Sequence, residues 1–174
     1  MRIEPLIDEH TIAQRVAELA EEITRDYQGQ EIVAVPVLKG SYVFAADLVR
    51  RIELNVEIDF LGVRSYGDGT QSSGVVQITT DLSHSIEGKH VILVEDIVDT
   101  GLTIEYLREN LVTRQPASLK VASLLHKPAR TRVPVDIDYL GFTVEDVFIV
   151  GYGLDRAQKF RNLPYLAVVA DASQ

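Results

Sequence analysis

The chain has 174 residues, 46% apolar and 25% charged, and a formal net charge of −9. That length can bury a core without staples, and the acidic balance argues against a non-specific nucleic-acid binder, which needs a broad basic face. There is no cysteine, so a disulfide framework, a thiolate metal site and a thiol nucleophile are all excluded. No run approaches the ~18 apolar residues that would cross a bilayer. The opening Met-Arg-Ile-Glu-Pro lacks the apolar stretch of a secretory signal, and a cytoplasmic setting is expected.

Residues 11–27 place Ile12, Val16, Leu19, Ala20, Ile23 and Tyr27 at spacings of three and four, which predicts an amphipathic helix capped by Asp8 or Thr11. Residues 31–38, EIVAVPVL, read as a buried strand with an irregular end at Pro36. Lys39-Gly40-Ser41 then turns into a second helix that carries Val43, Phe44, Leu48 and Ile52. Residues 57–66 and 74–80 alternate like antiparallel strands around the polar segment GDGTQSS, whose composition is that of a mobile loop. A strand at 91–94, a helix at 103–114 and a strand at 119–125 follow, with further strands at 137–142 and 147–152.

Nothing reads as a linker or a repeat, so residues 1–174 are expected to form one domain. Strand–helix–strand alternation in the middle predicts an α/β fold with a mainly parallel sheet flanked by helices. Such sheets bind ligands beyond the carboxyl ends of their strands. Lys39, Glu95 to Thr103 and Lys127 each follow a predicted strand, so they should gather on one edge. The four histidines (His10, His84, His90 and His126) show no paired metal spacing and read as surface or supporting residues.

The most informative stretch is 91–103, VILVEDIVDTGLT. A buried strand runs into Glu95 and Asp96, then Asp99, Thr100, Gly101 and Thr103 precede a helix. Backbone N–H groups and the helix dipole at such a turn hold phosphate, while acids reach sugar hydroxyls or a hard cation. A helix cap explains one hydroxyl residue. It does not explain three acids, two threonines and a glycine together.

This stretch closely resembles the signature of type I phosphoribosyltransferases, which bind 5-phosphoribosyl-1-pyrophosphate (PRPP). The resemblance implies their fold, with a small hood region formed here by the C-terminal segment of about 127–174, and a mobile loop at about 66–74. It implies that Glu95 and Asp96 engage the ribose hydroxyls and Mg²⁺. Thr100, Gly101 and Thr103 would cradle the 5′-phosphate, with Leu102 contributing only backbone. Asp99 would exchange a proton with purine N7.

Further matches extend the resemblance over nearly the whole chain. Leu38-Lys39-Gly40 resembles the pyrophosphate loop, in which a cis peptide precedes the lysine. Ser65-Tyr66 resembles the pair that leads into the loop closing over the site. Lys127 matches the lysine that donates to a 6-oxopurine, and Phe148 matches the aromatic residue that stacks on it. Carbonyl groups near Ile149 and Leu154 would read the base edge. Asp155 matches an acid that binds a second Mg²⁺, and Arg161 an arginine that contacts pyrophosphate.

Together these features resemble the hypoxanthine-guanine branch of the family. That implies a purine-salvage transferase working on PRPP and hypoxanthine or guanine, as a homodimer or homotetramer, with no nucleic-acid or membrane partner. Adenine is disfavoured because it offers an amino group where Lys127 needs an acceptor, whereas xanthine stays open. A regulatory PRPP sensor would need a basic surface or an added nucleic-acid-binding segment, and the sequence has neither.

Overall fold

The computed structural model describes residues 2–66 and 75–170. In chain order the elements are β1 (Arg2–Ile7), α1 (Glu9–Asp26), β2 (Ile32–Leu38), α2 (Tyr42–Val49), β3 (Val56–Ile58), β4 (Leu61–Tyr66) and β5 (Val75–Thr80). They continue with β6 (His90–Val98), α3 (Leu102–Val112), β7 (Ser118–His126), a single 3-10 turn (Pro128–Arg130), β8 (Tyr139–Thr143), β9 (Ile149–Val150) and β10 (Leu166–Ala170). Among these residues no helix is long and apolar enough to cross a membrane.

The central strands are apolar at nearly every position because both faces of the sheet are covered. Strand β6 sends Ile92 and Val94 into a core with Val16 and Leu19 of α1 and Phe44 and Leu48 of α2. Its alternate residues Val91 and Leu93 pack with Ile104, Leu107 and Leu111 of α3 on the other face. Helix α1 forms as its spacing predicts. Asp8 is its cap, accepting from the Thr11 N–H at 2.8 Å and the Thr11 hydroxyl at 3.0 Å. Burying an aliphatic side chain of this stripe is worth roughly 1.5–3 kcal/mol, so the stripe, more than helix propensity, holds α1 to the sheet.

The main sheet runs β5-β4-β2-β6-β7-β8, with β3 also pairing with β2. All its pairings are parallel except β4 with β5. A second sheet, β1-β10-β9, is antiparallel. The small sheet therefore combines the C-terminal strands with the N-terminal β1, which the sequence pattern did not reveal.

Three expectations change. The strand expected over 57–66 is two strands, and its first part pairs parallel with β2, not antiparallel. Asp59 causes the break: its carboxylate accepts from the N–H groups of Phe60 (2.9 Å), Ser83 (2.7 Å) and His84 (3.1 Å), while its own N–H donates to Ala34 O. The strand expected to stop at residue 94 continues to Val98, because its pairing with β7 persists through Val98↔His126. The strand expected over 147–152 shortens to Ile149–Val150 and joins the small sheet, since Gly151 and Gly153 turn the chain at φ +96° and +101°.

Asp59 also sets a pH dependence. Burial opposes its charge, but the three N–H donors outweigh that effect and hold the carboxyl below the usual range. A depressed carboxyl stabilises the fold above its unfolded pKa, and that stability is lost as pH falls through the folded value. Asp59→Asn is expected to lower stability by about 1–3 kcal/mol at pH 7. The deficit should shrink below about pH 4, where the free acid protonates. Urea midpoints at pH 7 and pH 3 measure both parts, and a deficit independent of pH would contradict this account.

Candidate active site

Strands β2, β6 and β7 are neighbours, so the segments leaving their carboxyl ends meet. They surround a cavity of about 270 Å³ whose polar lining includes Lys39, Gly40, Glu95, Asp96, Asp99, Thr100, Gly101, Thr103, Asp155 and Arg161. All ten were expected from the sequence.

Glu95 and Asp96 lie within β6, where the ladder aligns Glu95 with Ser123 of β7. Glu95 is buried, and burial pushes its carboxyl well above the usual range, with the neighbouring Asp96 charge adding to the effect. Burial also raises Asp96, opposed by the Ile97 N–H, which donates to Asp96 Oδ1 at 2.8 Å, and by the charge of Arg161. Asp96 Oδ2 lies over Gly40, where a Cβ would sit only 1.6 Å from it. The glycine therefore makes room for the carboxylate.

The turn after β6 is shaped by backbone contacts. Gly101, at φ +86°, caps α3, and a Cβ there would meet the Val133 carbonyl at 2.2 Å. Thr100 O accepts from the N–H groups of Arg132 (2.9 Å) and Val133 (3.1 Å). The N-terminus of α3 is thus presented to the cavity with Thr100, Gly101 and Thr103 around it. Leu102 does not line the cavity, while its N–H donates to Thr100 Oγ1 at 3.4 Å.

On the β2 side the Leu38–Lys39 peptide is cis, as the resemblance implies. The opposite wall comes from the segment that joins β9 to β10. A Cβ on Gly153 would lie 2.2 Å from Gly40 O, so the two glycines allow these backbones to touch. Arg161 donates to Gly153 O at 2.7 Å and pairs with Asp155 at 2.9 Å. Asp155 also accepts from the Gln158 N–H at 2.7 Å.

Of the residues expected to bind the purine base, four do not line this cavity. Lys127 is buried just past β7, and its N–H donates to Val98 O at 2.9 Å, which puts it beside the end of β6. Phe148 is 51% exposed, with the Arg156 guanidinium 5.5 Å from its ring centroid. Ile149 and Leu154 turn their side chains into the core, and Leu154 O already accepts from the Gly151 N–H at 3.0 Å. Ser65 and Tyr66 close β4, paired with Val76 and Val75, and the expected loop beyond Tyr66 falls outside the described residues up to 74.

One charged contact was not expected at all. Arg130 Nε lies 3.0 Å from Asp99 Oδ1. The segment KPARTR gives no sign of it, because a 3-10 turn between Lys127 and Thr131 sets the direction of the arginine. Among the described residues no group of three or more His, Asp or Glu side chains converges as a metal cluster.

Residues 4–157 match the phosphoribosyl transferase domain family, and the chain belongs to that family. It is 48% identical over 170 residues to the hypoxanthine phosphoribosyltransferase of Haemophilus influenzae, covering 96% of this chain and 95% of the relative. It is 45% identical to part of the bifunctional protein TilS/HprT of Listeria innocua, covering 94% of this chain but only 25% of that longer protein. The crystal structure of a hypoxanthine-guanine phosphoribosyltransferase from Bacillus anthracis superposes with a TM-score of 0.92 at 48% identity, covering 96% of this chain and 98% of that one.

The two glycines that border the cavity should fail differently. At Gly101 an added Cβ meets fixed backbone at a positive φ, so Gly101→Ala is expected to destabilise the fold by about 1–3 kcal/mol. At Gly40 the obstacle is the end of the Asp96 side chain, which can swing away. Gly40→Ala is therefore expected to melt within a few degrees of the parent and, on the PRPP binding that the sequence resemblance implies, to bind PRPP at least about tenfold more weakly, the effect of losing one ~1.4 kcal/mol contact. Thermal melts and titration calorimetry separate the two, and unchanged PRPP affinity in Gly40→Ala would contradict the packing argument.

Proposed function

We propose that this chain transfers the 5-phosphoribosyl group of PRPP to hypoxanthine or guanine, forming IMP or GMP and pyrophosphate. The observation that carries this reading is a single cavity holding buried Glu95 beside half-buried Asp96, a helix N-terminus, a lysine loop and an arginine. Each suits a different part of one sugar bisphosphate. Residues 1–174 act as one domain in this reading, in the cytoplasm, as a homodimer or homotetramer without nucleic-acid or membrane partners.

The 5′-phosphate is bound by backbone N–H groups at the start of α3, with the Thr100 and Thr103 hydroxyls adding donors. Glu95 and Asp96 accept from the ribose diol, whose hydroxyls replace hydration that burial removes from them. Lys39, the backbone at Gly40 and Arg161 hold the pyrophosphate, where a planar guanidinium can meet two oxygens at once. Ser65 and Tyr66, at the root of the expected loop, help to exclude water that would otherwise trap a ribosyl cation.

The donor set fits magnesium. The carboxylates of Glu95, Asp96 and Asp155 are hard oxygens on two walls of the cavity, and Mg²⁺ prefers a few carboxylates together with substrate oxygens and water. Bound there, it would neutralise charge on the departing pyrophosphate.

Purine N9 forms the new bond to ribose C1′ as the bond from C1′ to pyrophosphate breaks. Asp99 exchanges the proton at N7, keeping the imidazole ring neutral as N9 is alkylated. Lys127 donates to the 6-oxo group, Phe148 stacks on the ring, and carbonyl groups near Ile149 and Leu154 read the base edge.

Incubation with PRPP, Mg²⁺ and each of hypoxanthine, guanine, xanthine and adenine tests this reading. Nucleotide should form with hypoxanthine or guanine, not with adenine, and stop in excess chelator. Lys127→Ala should weaken use of 6-oxopurines by about 1.5–3 kcal/mol, the range for a hydrogen bond to a charged group, with PRPP affinity much less changed. Turnover in excess chelator, or an equal loss of PRPP affinity in that variant, would overturn the assignment.

A further inference from the structure

Arg130 makes a charged contact to the acid proposed to exchange the purine proton. Its Nε lies 3.0 Å from Asp99 Oδ1, and its Nη1 lies 3.7 Å from Asp146 Oδ1. Asp146 stands two residues before Phe148 in sequence. One guanidinium therefore joins the proton-exchange acid to the segment proposed to stack on the base.

The backbone aims the arginine. Arg130 N–H donates to Lys127 O at 3.2 Å, and Lys127 N–H donates to Val98 O at 2.9 Å. Beyond the turn, Arg132 and Val133 donate to Thr100 O. The 127–133 segment is thus stitched to the chain on both sides of Asp99.

The side chains of Arg130 and Asp99 are each 37% exposed and that of Asp146 is 53% exposed, and ion pairs this wet contribute little to folding. Stability is therefore a poor reason for the arrangement. Asp99 Oδ1 is itself buried and accepts no aligned hydrogen bond among the described residues, so the arginine acts on it through charge. With Oδ1 covered, the exposed part of the carboxylate is its other edge, and Asp99 lines the cavity. A planar fork can face two carboxylates together, which an ammonium reproduces poorly.

We propose that Arg130 is a positioning residue which, anchored on Asp146, pins one oxygen of Asp99 and presents the other to the bound purine. The base-stacking segment and the proton-exchange acid are thereby linked. This rests on the function proposed above.

A kinetic double-mutant cycle tests it. Arg130→Ala is expected to lower kcat about 10- to 100-fold, the scale of a misplaced catalytic group, with KM for PRPP little changed. Arg130→Lys should recover part of the loss. In an Asp99→Asn background, Arg130→Ala should lower kcat by less than about threefold, since groups acting as a unit are non-additive. A full second loss in that background, or a defect confined to KM for PRPP, would make Arg130 merely structural. If Arg130→Ala does not fold, Arg130→Lys and Asp146→Asn run the same cycle.

A second readout needs no turnover. In the substrate-free protein the ¹⁵N signal of the Arg130 Nε–H group should move on Asp99→Asn and on Asp146→Asn. An unmoved signal would overturn the contact itself. Failure of the parent protein to turn over any purine would instead overturn the proposed function.

Discussion

Holding Glu95 beside Asp96 inside the sheet is unfavourable for the chain on its own, because burial opposes each charge and the Asp96 charge further opposes ionisation of Glu95. The surroundings have been arranged around that constraint. Gly40 leaves space for the Asp96 carboxylate that no other residue would leave. Arg161, on the opposite wall, supplies positive charge that favours ionised Asp96. The Ile97 N–H satisfies one oxygen locally. Hydrogen-bond donors or a cation would complete the pair, which is the place the proposed function gives to the ribose diol and Mg²⁺.

The rest of the fold makes such an arrangement affordable and rigid. Two aliphatic cores, one on each face of the sheet, contain twelve or more buried residues apiece. At roughly 1.5–3 kcal/mol per large aliphatic side chain, they outweigh one unfavourable carboxylate pair. Rigidity at the rim comes from backbone contacts instead. Gly40 against Gly153 fixes the segment between β9 and β10 against the lysine loop, and Thr100 with Val133 fixes the segment after β7 against the turn that follows β6. The parallel sheet whose strand ends meet at this rim falls within residues 4–157, the part that matches the phosphoribosyl transferase domain family.

Much of this is legible in the residues. The 3.6-residue period of α1 and the apolar runs of β2, β6 and β7 are strong local signals. The strand-end rule then brings Lys39, the 95–103 segment and Lys127 to one side without knowledge of any relative. Other features have no local signature. β1 carries Pro5 and mostly exposed side chains, so its pairing with β10 depends on a strand more than 150 residues away, for example Arg2 with Ala170. The break at Asp59 depends on N–H groups at Ser83 and His84. Ile149 and Leu154 are core in their side chains, and any role in recognition rests on their backbone, which sequence patterns do not display. Arg130 could not be found from spacing, because its partner lies 31 positions earlier and the turn that aims it is short.

The central claim is that binding and chemistry are divided, with the turn, the acid pair and the lysine loop holding PRPP while Asp99 handles the proton. Single-turnover kinetics of Asp99→Asn with PRPP already bound measure this division directly. The substitution keeps size and an acceptor oxygen while removing basicity. The rate of nucleotide formation should fall by ~10²–10⁴-fold, the usual contribution of general acid–base catalysis, with PRPP affinity held within about tenfold. A variant with near-normal chemistry and much weaker PRPP binding would show Asp99 to be a ligand-binding acid and would contradict the account.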